Sequence, residues 1–500
     1  MPTPDLAFPL FVRLAHVFNI LFLSLLLRSG MEILSSFPKL YLKDHCRPGS
    51  EWLRLSRVRT PADRPWISLE EEVTFPAIVA LPGNRELGIA RHWHFAVAMA
   101  WLLTGLIYVV LLFASPQWQR LVPTTWSVFP EALHALSTYL SFRLPPDGNP
   151  YNPLQQLTYF SIVFILTPLQ IATGLAMSPA LAGRFPRYLR LLGGKQVARS
   201  IHFAGLCLFF VFLLVHTAMV VVHGVGGEFA KMVLGSADAD RTLALTVGLV
   251  AIALIVLINI AVTVLSRRHP RGVQHGLGVL VDPLQGLLSR LHSRQQYVTG
   301  DVTPTVELWV NGYPPAGEDY AALQRDGFAT YQLEITGLVD KPLRLSLDDL
   351  HALPAQRQVT KHHCIQGWTG VAAWKGVAFR RLEALCVPSP NARFAVFHAF
   401  DDKSTSGNAK ERSVGGGLFY EAIDLRLLRG PQCIVAFELN GQPLPVEHGA
   451  PLRLRVETQL GFKMVKWIRA IEFVEDYADI GSGQGGWRED KAYYSNLVGI

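Results

Sequence analysis

Cysteine is scarce. Cys46, Cys207, Cys364, Cys386 and Cys433 are the only five in 500 residues. An odd number at wide spacing excludes a disulfide framework, and no Cys–Cys or Cys–His pattern completes a zinc site. Charge is also thin. Charged residues make up 17% of the chain against 50% hydrophobic, and the formal balance is only +7. That spread gives no footprint for nucleic acid. No repeat of fixed period appears. A cleavable leader is not expected, because the first apolar run is too long for a signal core and no small-residue cleavage site follows it.

Long apolar runs are what the chain has instead. Five reach bilayer length: Leu6–Leu27, Trp93–Ala114, Leu154–Met177, Ile201–Val222 and Thr242–Ser266. The stretch Pro130–Phe142 is amphipathic and suits the membrane interface. From Tyr297 the pattern changes to short strands: VELWV, YQLEITG, FAVFHAF, CIVAFEL and LRLRVET. Three parts follow: a transmembrane domain (1–266), a basic, Gly-rich linker (267–296) and a mainly β, α+β domain (297–500). The loop Ser178–Ser200 carries Arg184, Arg187, Arg190, Lys195 and Arg199 with no acid, and Arg267, Arg268 and Arg271 follow the fifth run. The positive-inside rule then puts the N-terminus outside and the C-terminal domain in the cytoplasm, with a periplasmic domain as the alternative.

Ionisable residues inside membrane spans are costly and functional by default. Here they are histidines: His16 in the first span, His92 and His94 at the start of the second, and His202, His216 and His223 in the fourth. His202 and His216 are 14 residues apart, close to four helical turns, so they share one face at depths roughly 21 Å apart. Two ligands at two depths suit two stacked haems, each completed from another helix. The second and fourth spans run the same way, which matches His94 to His202. The first is antiparallel to the fourth, which matches His16 to His216. The competing reading is histidines that cap helices or bond to one another.

These spans resemble the di-haem cytochrome b subunits of bacterial formate dehydrogenases and nickel–iron hydrogenases, in RLAH (13–16), RHWHF (91–95) and the 14-residue interval. The resemblance implies a four-helix, two-haem b core in a bacterial inner membrane, with His94 preferred over His92 because it precedes Phe. YNPLQQLTY (151–159) is similar to the segment before the third span in that family. Asn152 and Gln155 are therefore expected near quinone; the alternative is a helix cap.

A second resemblance centres on KHHCIQGWTGVAAWKGV (361–377). By itself Cys364 is a soft metal ligand or a small buried hydrophobe. The segment is similar to the metal loop of the sulfite oxidase family. The likeness extends through GFATYQLEITGLVDKPLRLSLDDLHALP (327–354), LNGQPLPVEHGAPLRLRV (439–456) and GFKMVKW (461–467). It implies a molybdopterin domain in which Cys364 binds molybdenum. His448, Arg453, Lys463 and Lys466 would hold the pterin and its phosphate. His363, next to Cys364, is expected to reach the substrate. The segment Phe400–Glu421 occupies the family's substrate-pocket region, without a matching anion-binding arginine. The tail from Gly481 carries no recognisable chemistry.

The combined expectation is a molybdenum oxidoreductase that exchanges electrons with the quinone pool through two haems b. Its substrate is a small S- or N-oxide, with quinol-driven reduction preferred. The alternatives are a sulfite-type dehydrogenase acting on a small oxo-anion and a non-enzymatic redox sensor. Lipid and quinone are the expected partners.

Overall fold

The computed structural model describes residues 8–59, 67–145, 151–289, 291, 295 and 297–498. Among these, five helices are long and apolar enough to cross a membrane: Leu10–Ser35, Leu87–Phe113, Pro153–Ala176, Lys195–His223 and Arg241–Arg268. They coincide with the five apolar runs; residues 6 and 7 of the first run lie outside the described residues. Pro153–Ala176 contains one π turn, Ile162–Leu166. The amphipathic piece forms the helix Val128–Leu140.

The chain packs as two compact units, and they do not divide at residue 266. One unit is Met1–Arg28, Trp93–Gly174 and Ile201–Leu265; the other is Ser29–His92, Leu175–Ser200 and Ser266–Ile500. Two interhelical loops therefore belong to the C-terminal unit. Within the first of them Lys39 pairs with Glu71, both fully buried. Buried polar bonds link the loops to each other and to the domain. Lys361 pairs with Asp44. Arg199 donates to the carbonyls of Phe37 (2.6 Å) and Lys39 (2.7 Å).

The expected linker is instead mostly helix, Pro270–Ser289. Gln274, Gly278, Val281 and Gln285 are buried, an i, i+4, i+7, i+11 stripe that makes one helical face. Arg271 donates to the carbonyls of Glu489 and Asp490, and Gln274 to that of Tyr494. High glycine content concealed a helix whose periodicity was present.

Among the described residues, nine strands of four residues or more build the β domain: β1 (Gln332–Gly337), β2 (Leu343–Ser346), β3 (Ala355–His363), β4 (Thr369–Ala378), β5 (Phe394–Asp402), β6 (Leu418–Asp424), β7 (Cys433–Leu439), β8 (Arg453–Val456) and β9 (Ile468–Val474); a two-residue strand, Gln442–Pro443, also pairs with β7. One sheet runs β3–β4–β7–β8; the other runs β2–β1–β9–β5–β6, with β1 and β9 parallel. Inward residues of both sheets, including Leu333, Ile335, Phe397, Val435, Leu454 and Ile471, share one core. VELWV (306–310) is not a strand. A 3-10 turn covers Thr305–Glu307, Val310 bridges Ile67, and the Trp309 indole donates to the carbonyl of Cys46 at 2.5 Å. Tertiary bonds to a loop replace the ladder that local propensity favours.

Candidate active site and haem ligands

Cys364 sits in the turn between β3 and β4, where His363 is paired with Thr369. The Cys364 N–H donates to the carbonyl of Trp368 (3.0 Å), and Gly367 N–H donates back to Cys364 (3.1 Å). Gly367 has φ +120°, a conformation that favours glycine. The Cys364 side chain is buried. Its sulfur accepts from Asn311 Nδ2 (3.4 Å) and lies 3.7 Å from Gln366 Oε1. Gln366 bonds in turn to Ser68 Oγ and to Glu72 Oε1. Burial pushes the thiol pKa up to about 12, against the opposing charges of Lys195 and Arg488. A coordinating metal ion deprotonates a thiol outright.

Beside this turn is a cavity with about 280 Å³ of empty space; its lining includes Asn311, His362, Trp368, His448, Arg453 and Lys466, with Glu447 as the one carboxylate. Its chemistry is unbalanced. Arg455 is paired with Glu457 at 2.7 Å. Among the described residues neither Arg453 nor Lys466 has such a partner. The Arg453 guanidinium lies over Trp374 and donates to the carbonyl of His448 at 3.1 Å. Burial and the Arg455 charge bring its pKa down to about 9. Burial and the Arg453 charge hold Lys466 well below its usual value, and burial brings His448 to about 3. Arg453 Nε, Asn311 Oδ1, Trp368 Nε1 and Trp374 Nε1 are buried without a hydrogen-bond partner. Uncompensated cations and orphaned donors in one cavity fit an anionic, hydrogen-bonding group such as a pterin phosphate.

His362 lines this cavity, and its Nδ1 accepts from Arg455 at 2.9 Å. Arginine cannot accept, so the neutral ring carries its proton on Nε2. His363 lies 3.5 Å from the Lys195 ammonium through Nδ1, and its Nε2 is buried without a partner. Burial, reinforced by neighbouring cations, holds both rings neutral.

Lys463 does not join the cavity. Its ammonium bonds Glu421 (2.7 Å), Glu489 and Asn496 (2.6 Å), all within the domain. Burial works against its charge, but the two carboxylates outweigh burial and raise its pKa. The motif reading therefore separates: Lys466 reaches the cavity and Lys463 is an internal counter-ion.

In the helical unit, the ring centroids of His94 and His202 are 6.4 Å apart, and those of His16 and His216 are 6.2 Å apart. Two imidazoles sharing one metal through nitrogen bonds of about 2 Å need centroids roughly 6 Å apart. His202 Nδ1 donates to the carbonyl of Gln170 at 3.1 Å, leaving Nε2 as the lone-pair nitrogen. A Cβ at Gly205 would collide with the Gln170 side-chain amide, whose nitrogen donates to the His202 carbonyl. His216 stacks on Phe212 at 5.4 Å. These pairs fit bis-histidine haem iron. His92 is spent elsewhere, on Gly88 O (2.8 Å) and Ser495 Oγ (3.0 Å).

Asn152 and Gln155 form a capping box at the start of Pro153–Ser161. Asn152 Nδ2 also donates to Tyr139 Oη (3.0 Å), which lies 3.3 Å from His223 Nε2. The polar atoms expected for quinone are thus engaged in a helix cap. Spacing did not reveal Lys195 or Glu72 as neighbours of the Cys364 turn, since each comes from a distant segment; Asn311 is offered only by the family resemblance, as a pterin contact.

Residues 7–235 match the family model of prokaryotic cytochrome b561, and residues 320–480 match that of the oxidoreductase molybdopterin binding domain. A putative protein-methionine-sulfoxide reductase subunit, YedZ1, from Azospira oryzae is 33% identical over 165 residues, 33% of this chain. The chain spans about half (55%) of that relative's length. A solved structure, the sulfane dehydrogenase SoxCD from Paracoccus pantotrophus, aligns with TM-score 0.27 and 19% identity over 40% of this chain and 48% of that one.

Replacing Lys463 with Met leaves Glu421 and Glu489 buried without a cation, which costs about 3–5 kcal/mol. Thermal unfolding of the detergent-solubilised protein should show a clearly lower midpoint; an unchanged midpoint would refute the counter-ion role. The chain is an oxidoreductase that joins a multi-pass membrane domain of the cytochrome b561 type to a molybdopterin-binding domain.

Proposed function

We propose that this protein is a quinol-driven reductase of small S- or N-oxides, carrying two haems b and one molybdopterin centre. The carrying observation is the two histidine contacts of 6.2 and 6.4 Å in a chain that also holds Cys364 beside a cation-lined cavity. The net reaction balances as quinol plus sulfoxide giving quinone, sulfide and water. The sulfur gains two electrons, and the departing oxygen takes up two protons.

The chain's residues have separate tasks. Cys364 would bind molybdenum as thiolate. Arg453, Lys466, His448 and Asn311 would hold the pterin and its phosphate. His94 with His202, and His16 with His216, would hold the haems. When bound, molybdenum supplies two-electron oxygen-atom exchange and the haems supply one-electron transfer. From span count, the His94/His202 pair is taken as the haem on the C-terminal domain's side of the membrane. His363 is buried and neutral, with one ring nitrogen unpartnered, and is taken to act beside the Cys364 metal position.

Quinol is assigned to the Tyr139–His223 pair. His223 Nδ1 donates to Met219 O at 2.9 Å, which leaves Nε2 to accept a proton. The basic residues Arg184, Arg187, Arg190, Lys195 and Arg199 support a cytoplasmic C-terminal domain in an inner membrane.

Anaerobic optical spectra test the direction. In quinol-reduced protein, methionine sulfoxide should oxidise the haems, and Cys364→Ser should abolish this while keeping the haem spectrum. Haem reduction by sulfite would make the protein a dehydrogenase, and full turnover in Cys364→Ser would remove the molybdenum assignment.

The haem pairing has its own check. His202→Ala should lower pyridine-haemochrome haem by about one per chain, and His92→Ala should leave it unchanged. Two haems in the first variant, or one in the second, would overturn the pairing.

A further inference from the structure

A second cavity opens beside the Cys364 turn, on the side of Ile365 and Gln366, with about 610 Å³ of empty space. Its walls come from the loop before the second span (Leu69, Glu72, Arg85–Gly88), from the segment after β5 (Asn408, Lys410, Glu411, Val414) and from the C-terminal tail (Trp487, Arg488, Lys491, Tyr494). The tail is anchored for this task. Trp487 packs against Phe419, and its indole donates to the carbonyl of Gly416 at 2.7 Å.

Arg488 is held at one end only. Its Nη2 donates to Glu411 Oε1 at 3.1 Å, while Nε is buried without a hydrogen-bond partner. Glu411 is itself fixed by Ser406 (2.6 Å) and Lys403 (3.2 Å). The anchored guanidinium thus keeps unused hydrogen-bonding capacity in this wall.

The surrounding charge restricts which acceptor. Arg85, Lys410, Arg488 and Lys491 face Glu72, Glu86 and Glu411, leaving one net positive charge. A dianion entering such a cavity meets three carboxylates as well as the cations. A neutral oxide, or a zwitterion with one charge of each sign, finds partners without that repulsion. Leu69, Leu87 and Ile365 supply an apolar wall for the alkyl part.

We infer that this cavity is the substrate chamber, that Arg488 of the tail binds the oxide oxygen, and that the chamber selects neutral or zwitterionic S- or N-oxides over dianionic oxoanions. This rests on the proposed reductase reading and names the substrate class of that site.

Calorimetric titration of the full-length, detergent-solubilised protein tests it, with methionine sulfone as the zwitterionic probe and sodium sulfate as the dianion. Wild type should bind the sulfone at least about tenfold more tightly than sulfate. Arg488→Gln should weaken the sulfone by about tenfold or more, the loss of a charge-assisted hydrogen bond. Arg488→Lys, which keeps the charge and the Glu411 contact, should fall between. Tighter sulfate binding, no sulfone binding to wild type, or equal affinities in wild type and both variants would overturn the inference. Molybdenum and haem are measured on the same samples. Normal cofactor content with Arg488-independent binding removes this inference alone, whereas absent molybdenum removes the reductase reading.

Discussion

Buried positive charge with no ion-pair partner among the described residues is the constraint on which the β domain depends. Arg453 and Lys466 lie in one cavity with His362 and His448, and the nearby Glu457 is already committed to Arg455. Such a cluster is destabilising in an empty low-dielectric pocket. The strands tolerate it because guanidiniums stack on Trp374 and backbone carbonyls accept from Arg453 and Lys466. An anionic group would relieve what remains. The same domain pairs Lys463 with Glu421 and Glu489 only a few residues from Lys466. It thus separates an internal ion pair from a binding cation within one short turn.

The helical unit meets a related constraint with neutral groups. Imidazole at membrane depth is costly unless its nitrogens have partners. His202 satisfies one nitrogen on the Gln170 carbonyl and turns the other toward His94. Because His202 and His216 lie on one helix, the geometry of two sites depends on the straightness of that single element.

The five spans, four of the five strand runs and the Cys364 turn were legible in the sequence because each leaves a local signature: long apolar runs, period-two alternation, or a compact motif. The histidine pairs were legible because helical spacing and antiparallel topology fix depth. The errors share a cause. Asn152 and Gln155 are polar residues on either side of Pro153, and capping geometry explains them without a ligand. Lys463 was inseparable from Lys466 by motif, since only tertiary structure brings Glu421 and Glu489 to it. Residues 270–289 looked like a linker because glycine content masked a helical stripe. Arg488 was invisible because the tail's role arises from contact with Glu411 across 77 residues.

The account stands on one chain carrying one molybdenum and two haem irons. Elemental analysis of the purified protein, with chain concentration from amino-acid analysis, counts them directly. The predicted result is one molybdenum to two iron atoms per chain. Two iron atoms with no molybdenum would leave a membrane cytochrome with an unused cavity, and a single iron would contradict the paired-histidine geometry.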